Sequence, residues 1–353
     1  VAQAIGTVLL PGARVCLATD TRVSGPAIKE AVFSGLLDCG VEATDLGTLP
    51  TPALALLTRD LGFDTGVMIT ASHNPPEFNG IKLFNGDSLG YSKAQEQQIE
   101  DCSSKKSFRR SGRGSLRAGQ GMKESYLRSI RGKLPSNGVN RDLKIVVDPG
   151  NGAASGFAGW VLAETGLNVL PINDTPDGNF PGRNPEPKED TLQQTIAFLR
   201  KSKADLAVCF DGDADRVVFC DKEGFLGFNE PIAFISRLAV QETGKKAIAT
   251  TVETGRLIEL ATQDLGVKVA RGRVGDADVA HLAREIGASI GVEQVGVYII
   301  PKVGYYPDSI FAALTLLCHI REVREIRAFL RNIPSLFFDK GKVHCANESK
   351  QAV

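Results

Sequence analysis

Ser72 sits in Thr70-Ala71-Ser72-His73-Asn74-Pro75, a small hydroxyl in a tight polar turn directly after the apolar run Gly66-Val67-Met68-Ile69. A run of that length and character predicts an interior parallel strand, which puts Ser72 at a sheet's C-terminal edge, where ligands bind in open α/β sheets. Asn74-Pro75-Pro76 forbids a helix here, and Asn79-Gly80 predicts a second turn that returns Lys82 to the same mouth. A serine and a lysine facing one anion is one reading of this stretch. A solvated turn, with Ser72 and Asn74 bonded to their own backbone, is the other.

The second candidate loop favours the first reading. Leu206-Ala207-Val208-Cys209-Phe210 predicts another buried strand and runs straight into Asp211-Gly212-Asp213-Ala214-Asp215-Arg216. Carboxylates on alternate positions with small residues between them can converge on one hard cation, and without a cation they repel one another. Asp-x-Asp-x-Asp also opens the calcium-sensor loop. That loop needs Gly at its sixth position and Glu at its twelfth, where this chain has Arg216 and Lys222. A hydroxyl loop and a carboxylate loop, each capping a strand, equip a protein for metal-assisted phosphoryl transfer through a phosphoserine.

The two stretches, Thr70 to Pro75 continuing through Asn79-Gly80-Ile81-Lys82, and Asp211 to Arg216, resemble the α-D-phosphohexomutases, a family of phosphoglucomutases, phosphomannomutases and phosphoglucosamine mutases. Asp20-Thr21-Arg22-Val23-Ser24-Gly25 is similar to that family's D-x-R-x-S-G turn, and Phe180-Pro181-Gly182-Arg183-Asn184-Pro185-Glu186-Pro187 to its proline-rich connector. The resemblance runs from about Arg14 to about Leu317. It implies conversion of a hexose 1-phosphate to a hexose 6-phosphate through phosphorylated Ser72 and a hexose 1,6-bisphosphate intermediate. It further implies Mg²⁺ held by Ser72, Asp211, Asp213 and Asp215. Arg22 and Arg216 are expected to orient phosphate oxygens, His73 to act as an orienter, and Lys82 to handle a proton or steady the phosphate. Arg271 and Glu293 are expected to contact the substrate, with Glu293 accepting from sugar hydroxyls.

The third part of the chain departs from the family pattern. Where G-G-E-x-S-G-H is typical, the chain reads Gly291-Val292-Glu293-Gln294-Val295-Gly296-Val297, so Val295 and Val297 replace a hydroxyl and an imidazole. An apolar group facing a sugar hydroxyl leaves that hydroxyl without a partner. Arg271-Gly272-Arg273-Val274-Gly275 resembles R-T-x-V-G without its threonine, and Asp308-Ser309 resembles D-G without its glycine. Two further readings stay open on this basis: a weakly active or inactive phosphosugar-binding homologue, and a metal-dependent sugar phosphatase with water as acceptor. The resemblance also places a G-T-S/D-G-I-R-G segment before Val1 and a fourth domain with an R-x-S-G-T-E-P loop after Val353, both expected to lie outside these residues. The hexose itself is not legible, because the discriminating loop is the one that departs.

The elements positioning these loops follow a repeated pattern. Arg14-Val15-Cys16-Leu17-Ala18, Leu143-Lys144-Ile145-Val146-Val147 and Ala247-Ile248-Ala249-Thr250-Thr251-Val252 each lead through a turn into a helix stopped at Gly40, Gly166 or Gly266, and then into a second strand. Three such units predict three similar α/β domains with mixed, mostly parallel sheets and an active-site cleft between them. Composition sets the expected boundaries: residues 1–135 as the catalytic serine domain, 136–228 as the metal-binding domain, and 229–353 as the sugar-binding domain with a C-terminal linker. Ser103 to Gly121 is predicted as a boundary loop, and its basic residues Lys105, Lys106, Arg109, Arg110 and Arg113 as a solvated surface.

Bulk properties exclude several classes. The 353 residues carry zero formal net charge, so no nucleic-acid partner is expected, and an anionic substrate must be met by local charge. No apolar run approaches a membrane span, so no membrane partner is expected either. Seven scattered cysteines with no C-x-x-C pair point to buried thiols in a reducing cytoplasm. His281, His319 and His344 show no zinc-ligand spacing, and there is no G-x-x-x-x-G-K-[ST]. Gly150-Asn151-Gly152-Ala153-Ala154-Ser155 is a poor dinucleotide fingerprint, with Pro149 ahead of it and Ser for the last Gly. The first residue is Val, so the natural product is expected to begin earlier. Oligomeric state is not legible.

Overall fold

The computed structural model describes residues 1–333 and residue 345; the expected C-terminal linker and His344 lie outside the described residues. The first sheet contains β1 (Arg14–Thr19), β2 (Glu42–Thr48), β3 (Thr65–Ile69), β4 (Ile81–Asn85) and β5 (Ser115–Ala118), in the order β4-β3-β1-β2-β5. Helices α1 (Ala2–Val8), α2 (Gly25–Asp38), α3 (Thr51–Asp60) and α4 (Lys93–Lys105) accompany it, and α5 (Met122–Arg131) leads onward. The second sheet, β7-β6-β8-β9, comprises β6 (Lys144–Asp148), β7 (Asn168–Pro171), β8 (Leu206–Phe210) and β9 (Val217–Cys220), with α6 (Ala158–Glu164) and α7 (Gln193–Ser202). The third sheet, β11-β10-β12-β13, comprises β10 (Ala247–Thr251), β11 (Lys268–Gly272), β12 (Ile290–Glu293) and β13 (Val297–Ile299). With it go α8 (Asn229–Thr243), α9 (Leu257–Thr262), α10 (Asp276–Glu285), α11 (Ser309–His319) and α12 (Arg324–Arg331).

The three sheets share one plan, which makes the fold the expected set of α/β domains with mixed, mostly parallel sheets. In each, the first strand pairs in parallel with the second on one side and the third on the other, and the fourth returns antiparallel to the third. The connection from third to fourth strand is therefore equivalent in all three. It carries Ser72 in the first domain, Asp211 to Arg216 in the second, and the turn after Glu293 in the third. β3 and β8, which launch two of these turns, are buried at every position, the pattern of strands covered on both faces. The predicted stops Gly40, Gly166 and Gly266 take φ of +76°, +100° and +62°, the left-handed geometry that ends a helix.

One apolar cluster reaches across the domains, joining Leu54 and Met68 of the first to Phe157 and Phe210 of the second and Ile290 and Phe311 of the third. Tyr126 of α5 bridges it: its ring lies 5.4 Å from that of Phe157, and its hydroxyl donates to Asp308 Oδ1 at 2.8 Å. Among the described residues, no helix is long and apolar enough to cross a membrane.

The Ser103–Gly121 stretch is more ordered than its composition suggests. It ends α4 and contains β5, a short, largely exposed edge strand parallel to β2, which offers no apolar run to recognise. Nor is its basic run uniformly solvated. Arg109 donates to the carbonyls of Gly6 (2.6 Å), Leu9 (2.7 Å) and Cys39 (3.0 Å), fastening the end of α1 to that of α2. Arg110 is 74 % exposed and pairs with Asp38 only at 3.8 Å. Arg109→Ala is expected to lower unfolding free energy by about 1–3 kcal/mol, and Arg110→Ala to change it by less than about 0.5 kcal/mol. Urea titrations of both variants, read at constant m-value, check the contrast.

Asp308 caps α11, accepting from the Phe311 amide at 2.9 Å while only 4 % exposed. Burial pushes its carboxyl up to about 6, against the bonds it accepts from Phe311 and Tyr126. A carboxyl with a raised folded-state pKa favours the folded chain below its unfolded pKa, and that advantage is lost as pH rises through about 6. Asp308→Asn keeps an acceptor for both partners without the charge. It is expected to stabilise the protein at pH 7 by roughly 2–3 kcal/mol and to flatten the fall in stability between about pH 4 and 6, as read by chemical denaturation across pH.

Candidate active site

The turn after β1 shapes the serine loop. Asp20 and Arg22 form an ion pair at 2.9 Å with both side chains fully buried. The Arg22 guanidinium donates on to the carbonyls of Ser72 (2.8 Å), Asn74 (2.7 Å), Pro75 (2.5 Å) and Phe78 (2.9 Å). Asp20 also accepts from Thr70 Oγ1 at 2.7 Å, and that oxygen accepts the Ser72 amide at 2.9 Å. Ser72 is thereby held at φ +50°, a left-handed conformation that a serine adopts only when its surroundings impose it. The expectation that Arg22 orients phosphate oxygens is corrected here, because all its side-chain nitrogens are engaged with protein and it moulds the loop instead. His73 Nδ1 lies 3.5 Å from Ser72 Oγ. Burial and the nearby Arg216 hold its imidazole below the usual histidine range.

The aspartate loop meets the serine loop at a point of near contact. A Cβ on Gly212 would lie 2.4 Å from Ser72 O, so only glycine lets the two turns approach. The Gly150-Asn151-Gly152 turn braces the loop from behind: Ala153 N donates to Gly212 O at 2.9 Å. Arg183 of the proline-rich connector pairs with buried Asp148 at 3.0 Å and donates to Phe210 O at 2.6 Å, at the end of β8.

Within the loop, Ser72 Oγ donates to Asp211 Oδ2 at 2.8 Å. Asp213 Oδ2 accepts from Thr51 Oγ1 (2.7 Å) and Lys82 Nζ (3.0 Å), and Asp215 Oδ2 accepts from Lys82 Nζ (2.7 Å) and Tyr306 Oη (3.1 Å). Asp211, Asp213 and Asp215 each offer an oxygen within 4.8 Å of the others, and all three are buried. Asp213 Oδ1 and Asp215 Oδ1 are buried with no hydrogen-bond partner among the described residues. Two carboxylate oxygens without a hydrogen bond, beside a third carboxylate, fit a hard divalent cation. Burial and the charges of Asp215 and Asp213 push Asp211 well above the carboxylate range. For Asp215, burial is outweighed by Lys82 and Arg216, which bring it down to about 2.

Lys82 reaches the predicted mouth, where its ammonium also contacts Tyr306 Oη at 3.2 Å. Burial works to lower its pKa, but Asp213 and Asp215 prevail and hold it well above the lysine range. It stands as a cation paired with both aspartates. Arg216 differs: its guanidinium makes only a 4.0 Å pairing with Asp215 Oδ1 and no hydrogen bond among the described residues. It is the cation left available beside the serine.

The third domain joins through main chain. Val217 N donates to Gly296 O at 2.9 Å, and Arg216 bridges to Val297 in antiparallel fashion. Glu293 accepts the Gly275 amide through Oε1 at 2.9 Å, leaving Oε2, and burial raises its carboxyl. Val295 takes φ +78°, unusual for a β-branched residue, and Val297 is 3 % exposed among apolar neighbours. Arg271 is held by Glu259 and by the carbonyls of Thr254 (3.4 Å) and Gly255 (3.3 Å), so its guanidinium is engaged within its own domain. Thr51 and Tyr306 complete the cluster without any motif to announce them. Their one sequence signal is a polar side chain beside a proline, Pro50 or Pro307.

Three α/β domains of one plan, meeting where a hydroxyl faces a carboxylate triad, define a phosphohexomutase, an isomerase. Alpha/beta/alpha domains I, II and III of phosphoglucomutase/phosphomannomutase match residues 1–110, 124–224 and 229–335. A "Probable phosphoglucosamine mutase" of Methanopyrus kandleri is 37 % identical over 98 % of this chain and 76 % of its own length. A "Phosphoglucomutase/phosphomannomutase" of Thermococcus kodakarensis is 34 % identical over 100 % of this chain and 79 % of its own. The crystal structure of a phosphoglucomutase/phosphomannomutase family protein from Burkholderia thailandensis superposes with a TM-score of 0.83 at 27 % identity, over 95 % of this chain and 75 % of that one. The chain belongs to the phosphoglucomutase/phosphomannomutase family.

If the triad shares one cation, millimolar Mg²⁺ should raise the melting temperature by mass action, and Asp213→Asn should abolish the rise. Differential scanning fluorimetry with and without EDTA makes the measurement; an undiminished rise in the variant places the cation elsewhere.

Proposed function

We propose that this protein interconverts a hexose 1-phosphate and a hexose 6-phosphate through phosphorylated Ser72 and a hexose 1,6-bisphosphate, with Mg²⁺ held by Ser72, Asp211, Asp213 and Asp215. The observation that carries the reading is the Ser72 Oγ to Asp211 Oδ2 bond at 2.8 Å, beside two buried carboxylate oxygens without a hydrogen bond among the described residues. When bound, Mg²⁺ supplies positive charge against the oxygens of the moving phosphoryl group.

The chain's own groups account for the rest of the transfer. The sugar's 6-oxygen forms a bond to phosphorus as the Ser72 Oγ–P bond breaks, and Oγ keeps the electron pair. The proton lost by the 6-hydroxyl ends on Oγ. His73, with Nδ1 3.5 Å from Oγ and its imidazole held below the usual histidine range, is the residue suited to relay it. The bisphosphate then returns its 1-phosphoryl group to Ser72 by the reverse of the same step, leaving the 6-phosphate. Arg216 orients phosphate oxygens through its free guanidinium, and Glu293 Oε2 accepts from a sugar hydroxyl. Lys82 serves by holding Asp213 and Asp215 in place.

Family membership favours the mutase reading over the phosphatase, in which water would take the phosphoryl group. Cys16, Cys39, Cys102, Cys209, Cys220 and Cys318 form no disulfide among the described residues, which suits a cytoplasmic setting. Intact-mass analysis of freshly purified protein should show a fraction heavier by one phosphate, absent in Ser72→Ala, and turnover of hexose 1-phosphate with catalytic bisphosphate should be lost in the same variant. Phosphate mapped to another residue, or release of free phosphate as the main product, would overturn the proposal.

A further inference from the structure

Tyr306 stands between β13 and α11 of the third domain and is 7 % exposed. Its ring meets that of Phe84 on β4 edge-on, with centroids 4.8 Å apart and planes at 87°. The ring contact would be as good with phenylalanine, so the hydroxyl needs its own explanation. That hydroxyl donates to Asp215 Oδ2 at 3.1 Å and accepts from Lys82 Nζ at 3.2 Å.

These contacts sort the carboxylate oxygens. Among the described residues, every hydrogen bond reaching the Asp213 and Asp215 side chains falls on Oδ2: Thr51 and Lys82 on the first, Lys82 and Tyr306 on the second. Both Oδ1 atoms are left buried and without a hydrogen bond among the described residues. Two bonds on one oxygen fix the carboxylate plane and so fix where the other oxygen points. Groups that hold a ligand from behind in this way typically matter 10- to 100-fold for metal affinity.

We propose that Tyr306 is a positioning residue of the cation site: from the third domain it holds Asp215 and Lys82 so that Asp215 Oδ1 is presented to the ion. This rests on the reading of the aspartate triad as the Mg²⁺ site. It makes cation binding in the second domain depend on how the third domain is seated, and by linkage the dependence is reciprocal.

The test uses melting curves of the whole chain against MgCl₂, with an EDTA baseline, for Tyr306→Phe, Phe84→Leu and Asp213→Asn. Tyr306→Phe removes one oxygen and keeps the ring, so it is expected to lower the cation-free melting temperature modestly, through one lost hydrogen bond, while raising the Mg²⁺ midpoint roughly 10-fold or more. Phe84→Leu loosens the ring without touching the hydroxyl, and is expected to lower the cation-free melting temperature with less than about a 2-fold change in midpoint. An unchanged midpoint in Tyr306→Phe, or an equal shift in Phe84→Leu, reduces Tyr306 to packing and overturns the proposal. An undiminished Mg²⁺ response in Asp213→Asn overturns the triad reading instead, an outcome that neither aromatic variant can mimic.

Discussion

Three carboxylates buried within 4.8 Å of one another are the constraint around which this molecule is arranged. Two like charges about 4 Å apart repel by roughly 4 kcal/mol at an effective dielectric constant of about 20, before any desolvation is counted. The protein meets this by drawing compensating groups from every domain. The first gives Ser72, Thr51 and Lys82, the second Arg216, and the third Tyr306. The distribution is uneven. Asp215, flanked by Lys82 and Arg216, is held low, whereas Asp211, hydrogen-bonded only to Ser72 and backbone, bears the excess of burial and repulsion despite the nearby Arg216. That imbalance lies on the side nearest the serine, where a cation would relieve it most.

Much of this was legible in the sequence, for a physical reason. β3 and β8 are covered on both faces, so they appear as unbroken apolar runs, and the chemistry follows directly in the turns that leave them. The helix-stopping glycines were equally plain, since the left-handed geometry they adopt is set locally. What escaped was decided by tertiary partners. An arginine in a polar turn reads as an available cation, and only the folded chain shows that Arg22 is consumed by four carbonyls while Arg216 is not. Arg109 and the solvated Arg110 beside it are indistinguishable by type. β5 lies at a sheet edge with most of its side chains exposed, so it carries no periodic signal. Tyr306 acts through one oxygen contributed from some 90 residues beyond Asp215, the aspartate of the triad that it touches.

The third-domain loop shows how a family pattern can lose side chains and keep its place. Val295 and Val297 depart from the pattern, yet the loop is pinned by main-chain groups, Gly296 O on Val217 N and the Gly275 amide on Glu293. A Cβ on Gly296 would come within 2.3 Å of Val217 O, so the glycine that permits this contact is the residue the loop could least exchange. Positioning and side-chain identity are thus separable: backbone sets where the loop lies, and the side chains on it can change without moving it. The strained φ of Val295 fits a conformation dictated by that backbone register and not by the residue occupying it.

The aspartate loop also shares main-chain hydrogen bonds with both neighbouring domains: Thr51 N donates to Asp213 O at 2.9 Å, and Val217 N donates to Gly296 O at 2.9 Å. Three units built on one plan look as though they could be shuffled like beads. They cannot. A unit lifted out would strip its neighbours of backbone partners and leave the carboxylates without their counter-groups, and a unit brought in would have to restore those contacts to a fraction of an ångström. Similarity among the domains therefore records a common architecture and not interchangeable parts. Change is tolerated within each loop, while the order in which the loops meet is fixed.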